Sequence, residues 1–206
     1  MNTTFLGDAL DHWKGSLFES LQNAGVLTDF AVDPLASDLH AWKQQDFDLY
    51  ARLLRVELLQ VLQHKVSIAD NRQQYFLEVL SHAGDLFIDP DTGVATGRVR
   101  LEHHRRYVEP AEIGQLLDSG KKRIAAVYQH VHGRRVADRV DKVRQAIGKR
   151  IEKLGWSSYE SGTVAMLFLS RDHHRVEAVS EHFRRILGLR ADGRIRCGVE
   201  SEHGHA

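Results

Sequence analysis

The stretch that most constrains the fold of this chain is a short apolar run that ends in Asp-Pro. Residues 86–93 read LFIDPDTG. An apolar run of this length, bounded by turn residues, is typical of a buried strand in a parallel sheet. Pro90 has no backbone N–H to donate to a neighbouring strand, so the strand should end at about Asp89. Ligands of open α/β sheets bind beyond the carboxyl ends of the strands, which makes Asp89 and Asp91 candidate site residues. The alternative is an ordinary turn, in which the Asp side chains accept hydrogen bonds from nearby backbone.

Strand and helix patterns alternate along the rest of the chain. A second apolar run, residues 27–33, also leads into Asp-Pro, and residues 123–128 form a third. Two further runs, 156–160 and 163–169, are joined through Ser161-Gly162 and predict a hairpin. Apolar residues recur at spacings of three and four in six segments, which predicts amphipathic helices over about 8–21, 42–62, 72–81, 109–120, 136–154 and 172–188.

This alternation of strands and helices predicts the fold class. We expect a single α/β domain over residues 1–206, built as a three-layer Rossmann-like domain. Its sheet should be mainly parallel, with a C-terminal antiparallel hairpin. The tail from about residue 199 is polar and should be frayed.

Charge divides the chain into an acidic half, residues 1–97, and a basic-to-neutral half, residues 98–206. The first half carries 6 Lys and Arg against 14 Asp and Glu, whereas residues 98–153 carry 15 against 7. A basic segment of this size suggests an anionic partner such as RNA or DNA. The alternative is that the two segments neutralise each other in the folded protein.

Length, composition and cysteine content limit the class of protein and the compartment that we expect. The 206 residues are enough for a domain with a real core, and no run approaches the roughly 18 apolar residues of a membrane span. The N-terminus lacks the pattern of a secretory signal. Cys197 is the only cysteine, so there is no internal disulfide and no cysteine-based zinc site. We therefore expect a cytoplasmic protein without membrane contact; its oligomeric state is left open.

The predicted N-terminal helix carries a possible second part of the site. Asp8, Asp11 and Lys14 are three residues apart, so they share one side of that helix. They form either part of a site or a solvated face with acids favourably placed near the helix N-terminus.

The order of elements resembles the carboxyl half of Rossmann-fold, S-adenosylmethionine-dependent methyltransferases. The likeness is nearest to the J-type ribosomal-RNA adenine-N6 methyltransferases and weaker to three-Cys-motif partner proteins. Their opening Gly-Asn/Asp-x-x-Asp-x-x-Lys helix is similar to residues 7–14, GDALDHWK. Their catalytic Asp-Pro-Pro-Tyr is matched at two positions by residues 89–92, and their Tyr-containing strand end is similar to residues 127–130, VYQH. Their hairpin carries Ser-Gly before an apolar strand, as residues 161–166 do.

Two parts of the family pattern are absent from this sequence. The glycine-rich first motif is replaced by residues 32–35, VDPL. The aromatic residue that stacks on the flipped adenine is replaced within the Asp-Pro motif, where Asp91 and Thr92 stand.

The resemblance implies methylation of a base amino group in RNA or DNA, with S-adenosylmethionine as cofactor. Asp89 would accept a hydrogen bond from the amine, Pro90 would supply a backbone carbonyl, and the methyl donor's own chemistry would drive the transfer. The implied catalytic group is Asp89, Pro90, Asp91, Tyr128 and His130. Tyr128, His130 or Tyr107 would stack on the flipped base. The cofactor would be flanked by Gly7, Asp8, Lys14 and Asp33. Phosphates would be contacted by Arg105, Arg106, Arg134 and Arg135.

Two other functions fit the same residues. In a metal-dependent nuclease or phosphodiesterase, Asp89 and Asp91, with Asp33 or Asp8, would bind Mg²⁺ or Mn²⁺. His130 and His132 would add imidazole ligands or a general base. In the other alternative, a non-catalytic domain binds nucleic acid or a protein, which the missing glycine motif favours.

Overall fold

The computed structural model describes residues 3–120, 122–131 and 135–200. The α-helices of the described chain are α1 Ala9–Asn23, α2 Gln44–Leu54, α3 Arg72–Leu80, α4 Pro110–Ser119, α5 Val136–Gly148 and α6 His173–Leu187. The strands are β1 Ala31–Asp33, β2 Leu86–Ile88, β3 Gly93–Val94, β4 Tyr107–Val108, β5 Ala125–His130, β6 Leu154–Ser161, β7 Val164–Ser170 and β8 Ile195–Glu200. The protein is thus a mixed α/β structure.

The main sheet has six strands in the order β1-β2-β5-β7-β6-β8. The pairs β1–β2 and β2–β5 are parallel, whereas β5–β7, β7–β6 and β6–β8 are antiparallel. The expected C-terminal hairpin is confirmed as β6 and β7, but the expectation of a mainly parallel sheet is wrong. The reason is the hairpin itself, because β7 returns beside β5 and separates β6 from the parallel strands.

Alternate strand residues divide the core into two clusters. One cluster contains Phe87 and Tyr128 and is completed by α1, α2 and α6. The other contains Ile88 and Val127 and is completed by α3, α4 and α5. Because successive residues of a strand face opposite sides of the sheet, the apolar runs that predicted these strands supply both clusters.

The segment after β2, whose polar part was predicted to be a loop, contains a small second sheet. Strands β3 and β4 pair in parallel, and the residues between them include a 3₁₀ helix, Leu101–Arg106. This arrangement packs the polar segment beside the end of β2.

The predicted frayed tail also needs correction. Residues up to Glu200 belong to β8, which pairs with β6 along six residues. Residues 201–206 lie outside the described residues. Within the described chain, every helix is too short or too polar to cross a membrane.

Candidate functional site at the carboxyl edge

Two groups of predicted site residues, those of the loop after β2 and those of β5, meet at one edge of the sheet, which we call the carboxyl edge. Asp89 follows β2 directly, and the parallel register pairs Ile88 with Val127. Asp89 therefore lies beside Tyr128. The His130 amide donates to the Thr92 carbonyl at 3.1 Å, which holds the loop containing Asp91 at the same edge. The predicted placement of Asp89, Asp91, Tyr128 and His130 at one edge is confirmed.

Lys14 reaches this edge from α1 and binds Asp89. Its Nζ donates to Asp89 Oδ1 at 2.9 Å and Oδ2 at 2.8 Å, and to Asp11 Oδ1 at 3.0 Å. The ammonium also lies 4.5 Å from the centre of the Tyr128 ring, a cation–π contact. Lys14 and Asp89 are 4% and 2% exposed. The site therefore contains a buried ion pair with an aromatic face against its cation.

The start of α1 holds this lysine in place. Gly7 has a φ of +95°, in the left-handed region, and its amide donates to Asp11 Oδ2 at 2.9 Å. Asp8 is the N-cap, and its Oδ1 accepts from the backbone amides of Leu10 and Asp11. The three-residue spacing then brings Asp11 and Lys14 onto one side of the helix. The structure thus joins the N-terminal motif to Asp89, which spacing alone did not predict.

Tyr50 of α2 is a further member of the site. Its hydroxyl donates to Asp89 Oδ2 at 3.1 Å, and the side chain is fully buried. The sequence signal was only an aromatic residue in an apolar stripe, which is indistinguishable from a core residue. Together, Lys14 and Tyr50 engage both oxygens of Asp89.

Burial and charge shift the pKa values of these groups in definite directions. Burial lowers the pKa of Lys14, but Asp89 and Asp11 outweigh this effect and leave it raised. Burial raises the pKa of Asp89, although Lys14 opposes the shift. Burial also raises the pKa values of Tyr50 and Tyr128, and the nearby Asp89 carboxylate reinforces both shifts. The lysine therefore stays protonated and the tyrosines stay neutral near pH 7, so the hydroxyl of Tyr50 is a donor to Asp89.

A second buried carboxylate, Asp33, lies at the end of β1. Its Oδ1 accepts from the Leu35 amide at 2.9 Å and from the Tyr75 hydroxyl, and lies 3.3 Å from His64 Nε2. His64 Nδ1 lies 3.3 Å from a Glu78 carboxylate oxygen. Burial lowers the pKa of His64, but Asp33 and Glu78 outweigh this effect and leave it raised. None of His64, Tyr75 and Glu78 was predicted as a site residue, because Asp33, which His64 and Tyr75 contact, is 31 and 42 positions away from them in sequence, and Glu78 joins the group only through His64.

Gln129 fixes the loop that carries the acids. Its buried side chain accepts from the Val94 amide at 3.0 Å and donates to the Thr92 and His130 carbonyls at 3.0 and 2.7 Å. Gly93, with a φ of +122°, passes directly over this amide. The loop from Pro90 to Gly93 is therefore rigidly positioned against β5.

Part of the predicted phosphate-binding set lies beside this edge. Arg105 and Arg106 are exposed residues of the 3₁₀ helix, and the Arg106 carbonyl accepts from the Thr92 amide at 3.0 Å. Arg135 is exposed at the start of α5, which follows β5. Arg134 lies outside the described residues. The edge thus has exposed positive charge next to the buried Asp89 pair.

The residues that would flank S-adenosylmethionine are all engaged within the chain. Gly7 and Asp8 cap α1, Lys14 is paired with Asp89, and Asp33 is buried against Tyr75. After β1 the chain continues as Pro34-Leu35, where a glycine-rich loop would stand in the family. The Leu35 amide donates a hydrogen bond to Asp33 Oδ1. In this arrangement the described residues do not fit the cofactor.

The metal-dependent alternative also finds little geometric support at Asp89. A lysine ammonium occupies both of its oxygens, so a divalent ion would have to displace a buried cation. Within the described ranges, neither Asp89 nor Asp91 belongs to a set of three metal-ligating side chains with converging ligand atoms. His132, the other proposed ligand, lies outside those ranges.

Comparisons with known proteins do not identify a family. No family model and no curated protein matches the sequence. Among solved structures, the chain resembles the crystal structure of protein LPL1258 from Legionella pneumophila str. Philadelphia 1, of family model DUF519, with a TM-score of 0.44 and 11% identity. The match covers 85% of this chain and 61% of that protein, so this chain spans about three fifths of that protein's length.

Proposed function

We propose that this protein binds nucleic acid at the carboxyl edge, in a Rossmann-like, methyltransferase-like domain that transfers no methyl group in the arrangement described. The observation that carries the proposal is the hydrogen bond from the Thr92 amide to the Arg106 carbonyl at 3.0 Å. It fixes the 3₁₀ helix that carries the exposed Arg105 and Arg106 against Thr92, which follows the buried Asp89 by three residues.

The charge around the edge favours a polyanion. Arg98, Arg100, Arg105 and Arg106 are exposed, and the one acid among residues 98–106 is Glu102. Among the described residues, no carboxylate lies within ion-pair distance of Arg105 or Arg106. The one local acid instead faces Arg100, with Glu102 Oε1 3.9 Å from Arg100 Nη1. Unpaired surface arginines next to a rigid loop suit phosphate groups, which guanidinium binds through two parallel hydrogen bonds.

The order of elements supports a methyltransferase-like domain. A strand ending in Asp-Pro, α4, a strand with Tyr near its end, α5 and a hairpin follow one another as β2, α4, β5, α5 and β6–β7. Helices contribute to core clusters on both faces of the sheet, as in a three-layer domain. The chemistry of the family is the weaker part of the likeness, because Lys14 holds the carboxylate that an amine substrate would need.

The test is binding of fluorescent duplex DNA and single-stranded RNA over a series of salt concentrations. We expect binding that weakens steeply with salt, because phosphate contacts release counterions. Arg105→Ala with Arg106→Ala should flatten the slope of log K against log salt by roughly two for duplex DNA.

Lys149→Ala with Arg150→Ala provides the matched control. These two basic residues are exposed at the end of α5 far from the carboxyl edge, and their substitution removes the same charge. The slope of log K against log salt should therefore stay as in the wild type. Equal slopes for all three proteins, or no binding at low salt, would refute the proposal. In a parallel thermal-shift series, stabilisation by S-adenosylmethionine would instead favour the methyltransferase, and stabilisation by Mg²⁺ or Mn²⁺ the nuclease.

A further inference from the structure

A cluster of metal-ligating side chains lies on the first two turns of α6, away from the carboxyl edge. It consists of His173, His174 and Glu177, which we call the α6 cluster. Within the described ranges, these three residues bring one ligand atom each to within 4.8 Å of one another. All three side chains are exposed.

The helical spacing places Glu177 near both histidines. Glu177 stands four residues after His173 and three after His174, so it lies one turn along from both. The two imidazole rings are 3.9 Å apart between centres, and His174 Nδ1 lies 3.2 Å from Glu177 Oε2. Two ligands bound at about 2.1 Å to one tetrahedral ion are separated by about 3.4 Å, so this spacing suits a shared metal.

The surroundings of the α6 cluster also favour a cation. The N-cap Asp172 adds a carboxylate, and its Oδ1 accepts from the His174 amide at 3.1 Å. Arg175, the basic residue of the same turn, is directed elsewhere, because its guanidinium donates to Asp85 Oδ2 at 2.6 Å and to the Val26 carbonyl at 3.0 Å. Its positive charge is thereby matched by Asp85.

We propose that the α6 cluster binds one divalent transition-metal ion, with two imidazole nitrogens and one carboxylate oxygen as ligands. This donor set suits Zn²⁺, Co²⁺ or Ni²⁺ better than Mg²⁺ or Ca²⁺, which prefer oxygen ligands alone. Three protein ligands leave at least one coordination position for water. The site is separate from the proposed nucleic-acid interface.

The test is isothermal titration of the full-length protein with Zn²⁺, and with Co²⁺ followed by its visible absorption. We expect the wild type to bind one more equivalent of metal than His173→Ala with His174→Ala. Glu177→Gln alone should weaken that equivalent at least tenfold. Because the substituted side chains are exposed, the variants should keep the wild-type circular dichroism spectrum.

Glu102→Gln with His103→Ala supplies the matched control. It removes another surface His–Glu pair, in which His103 Nε2 and Glu102 Oε1 lie 3.4 Å apart, and it should retain the additional equivalent of metal. Identical stoichiometry in the wild type and the His173→Ala, His174→Ala variant would overturn the proposal. So would loss of the same equivalent in the control, since binding would then be a general property of surface histidines.

Discussion

At the scale of single residues, the buried pair of Lys14 and Asp89 dominates the carboxyl edge. The ammonium makes two hydrogen bonds to Asp89 and one to Asp11, so all of its protons are used. A strand-end acid kept only for chemistry would contribute little to stability. Here the acid is the main partner of a buried cation, which gives it a structural role as well.

A double-mutant cycle tests this role. Breaking a buried ion pair leaves an uncompensated charge and costs about 3–5 kcal/mol. We expect Lys14→Met to lower the free energy of unfolding by about that amount, and more than Asp89→Asn does, because the methionine variant leaves the buried carboxylates of Asp11 and Asp89 without a cation. Urea denaturation of both single variants and of the double variant measures these changes.

The double variant distinguishes a coupled pair from two independent residues. If the pair acts as a unit, the free energy of unfolding lost in the double variant should be smaller than the sum of the losses in the two single variants, by at least about 1 kcal/mol. Strict additivity would show that the contact contributes nothing to stability.

At the scale of secondary-structure elements, the sequence predicted most helices closely but did not predict the strands β3, β4 and β8. The helix expected over 72–81 is α3, Arg72–Leu80, and the one expected over 172–188 is α6, His173–Leu187. The apolar stripes of these helices are local, so periodicity alone reveals them. The helix expected to reach residue 154 ends at Gly148, because Leu154 already belongs to β6 and only its apolar character continued the stripe.

Strand β8 was missed because its local signal is short and weak. In Ile195–Glu200 the apolar residues Ile195, Cys197 and Val199 alternate with Arg196, Gly198 and Glu200, but the alternation is short and includes a glycine, which is depleted in strands. It is a strand because β6 offers it an edge to pair with. β-Propensity depends on such neighbours as much as on the segment itself, so this short alternation is a weak predictor on its own.

Strand β3 depends on one glycine, which gives a prediction at this scale. Gly93 has a φ of +122°, and a Cβ added there would lie 2.4 Å from the buried side chain of Gln129. We expect Gly93→Ala to lower the free energy of unfolding by at least about 2 kcal/mol, from backbone strain and steric overlap. Chemical denaturation measures the change.

Gly97→Ala is the control for that substitution. Gly97 lies in the same segment, but nothing stands within 4 Å of an added Cβ. Its effect should remain within about 0.5 kcal/mol. A Gly93→Ala protein as stable as this control would show that the Gln129 contact does not fix the loop.

At the scale of the whole molecule, the candidate site joins residues that are far apart in sequence. Lys14 and Asp89 are 75 positions apart, and Tyr50 contributes from a third region. The convergence of Asp89 with Tyr128 was predictable, because parallel strands share a carboxyl edge. The approach of Lys14 and Tyr50 was not, since it depends on how α1 and α2 pack on the sheet.

The pH dependence of stability is a property of this whole arrangement, and His64 gives it a definite sign. Burial lowers the pKa of His64, but Asp33 and Glu78 outweigh this effect and raise it above the ordinary value of 6.5. The protonated imidazole therefore stabilises the fold. That contribution is fully present below the unfolded pKa, near 6.5, and is lost as pH rises through the higher folded pKa.

Comparison of the wild type with His64→Gln between pH 5.5 and pH 9 tests this sign. We expect the wild type to be more stable by about 1.5–3 kcal/mol at pH 5.5, the usual contribution of hydrogen bonds to a charged group, and we expect the difference to shrink as the pH rises. The lower limit of this pH range is chosen so that Glu78 stays ionised. Burial raises the pKa of Glu78, but hydrogen bonds from Lys65, Gln74 and His64 outweigh this effect and lower the pKa below 4.5. Urea denaturation at each pH supplies the free energies, and NMR titration of the His64 ring supplies its folded pKa. A difference that is constant across the range, or that grows with pH, would mean that Asp33 and Glu78 do not hold a proton on His64.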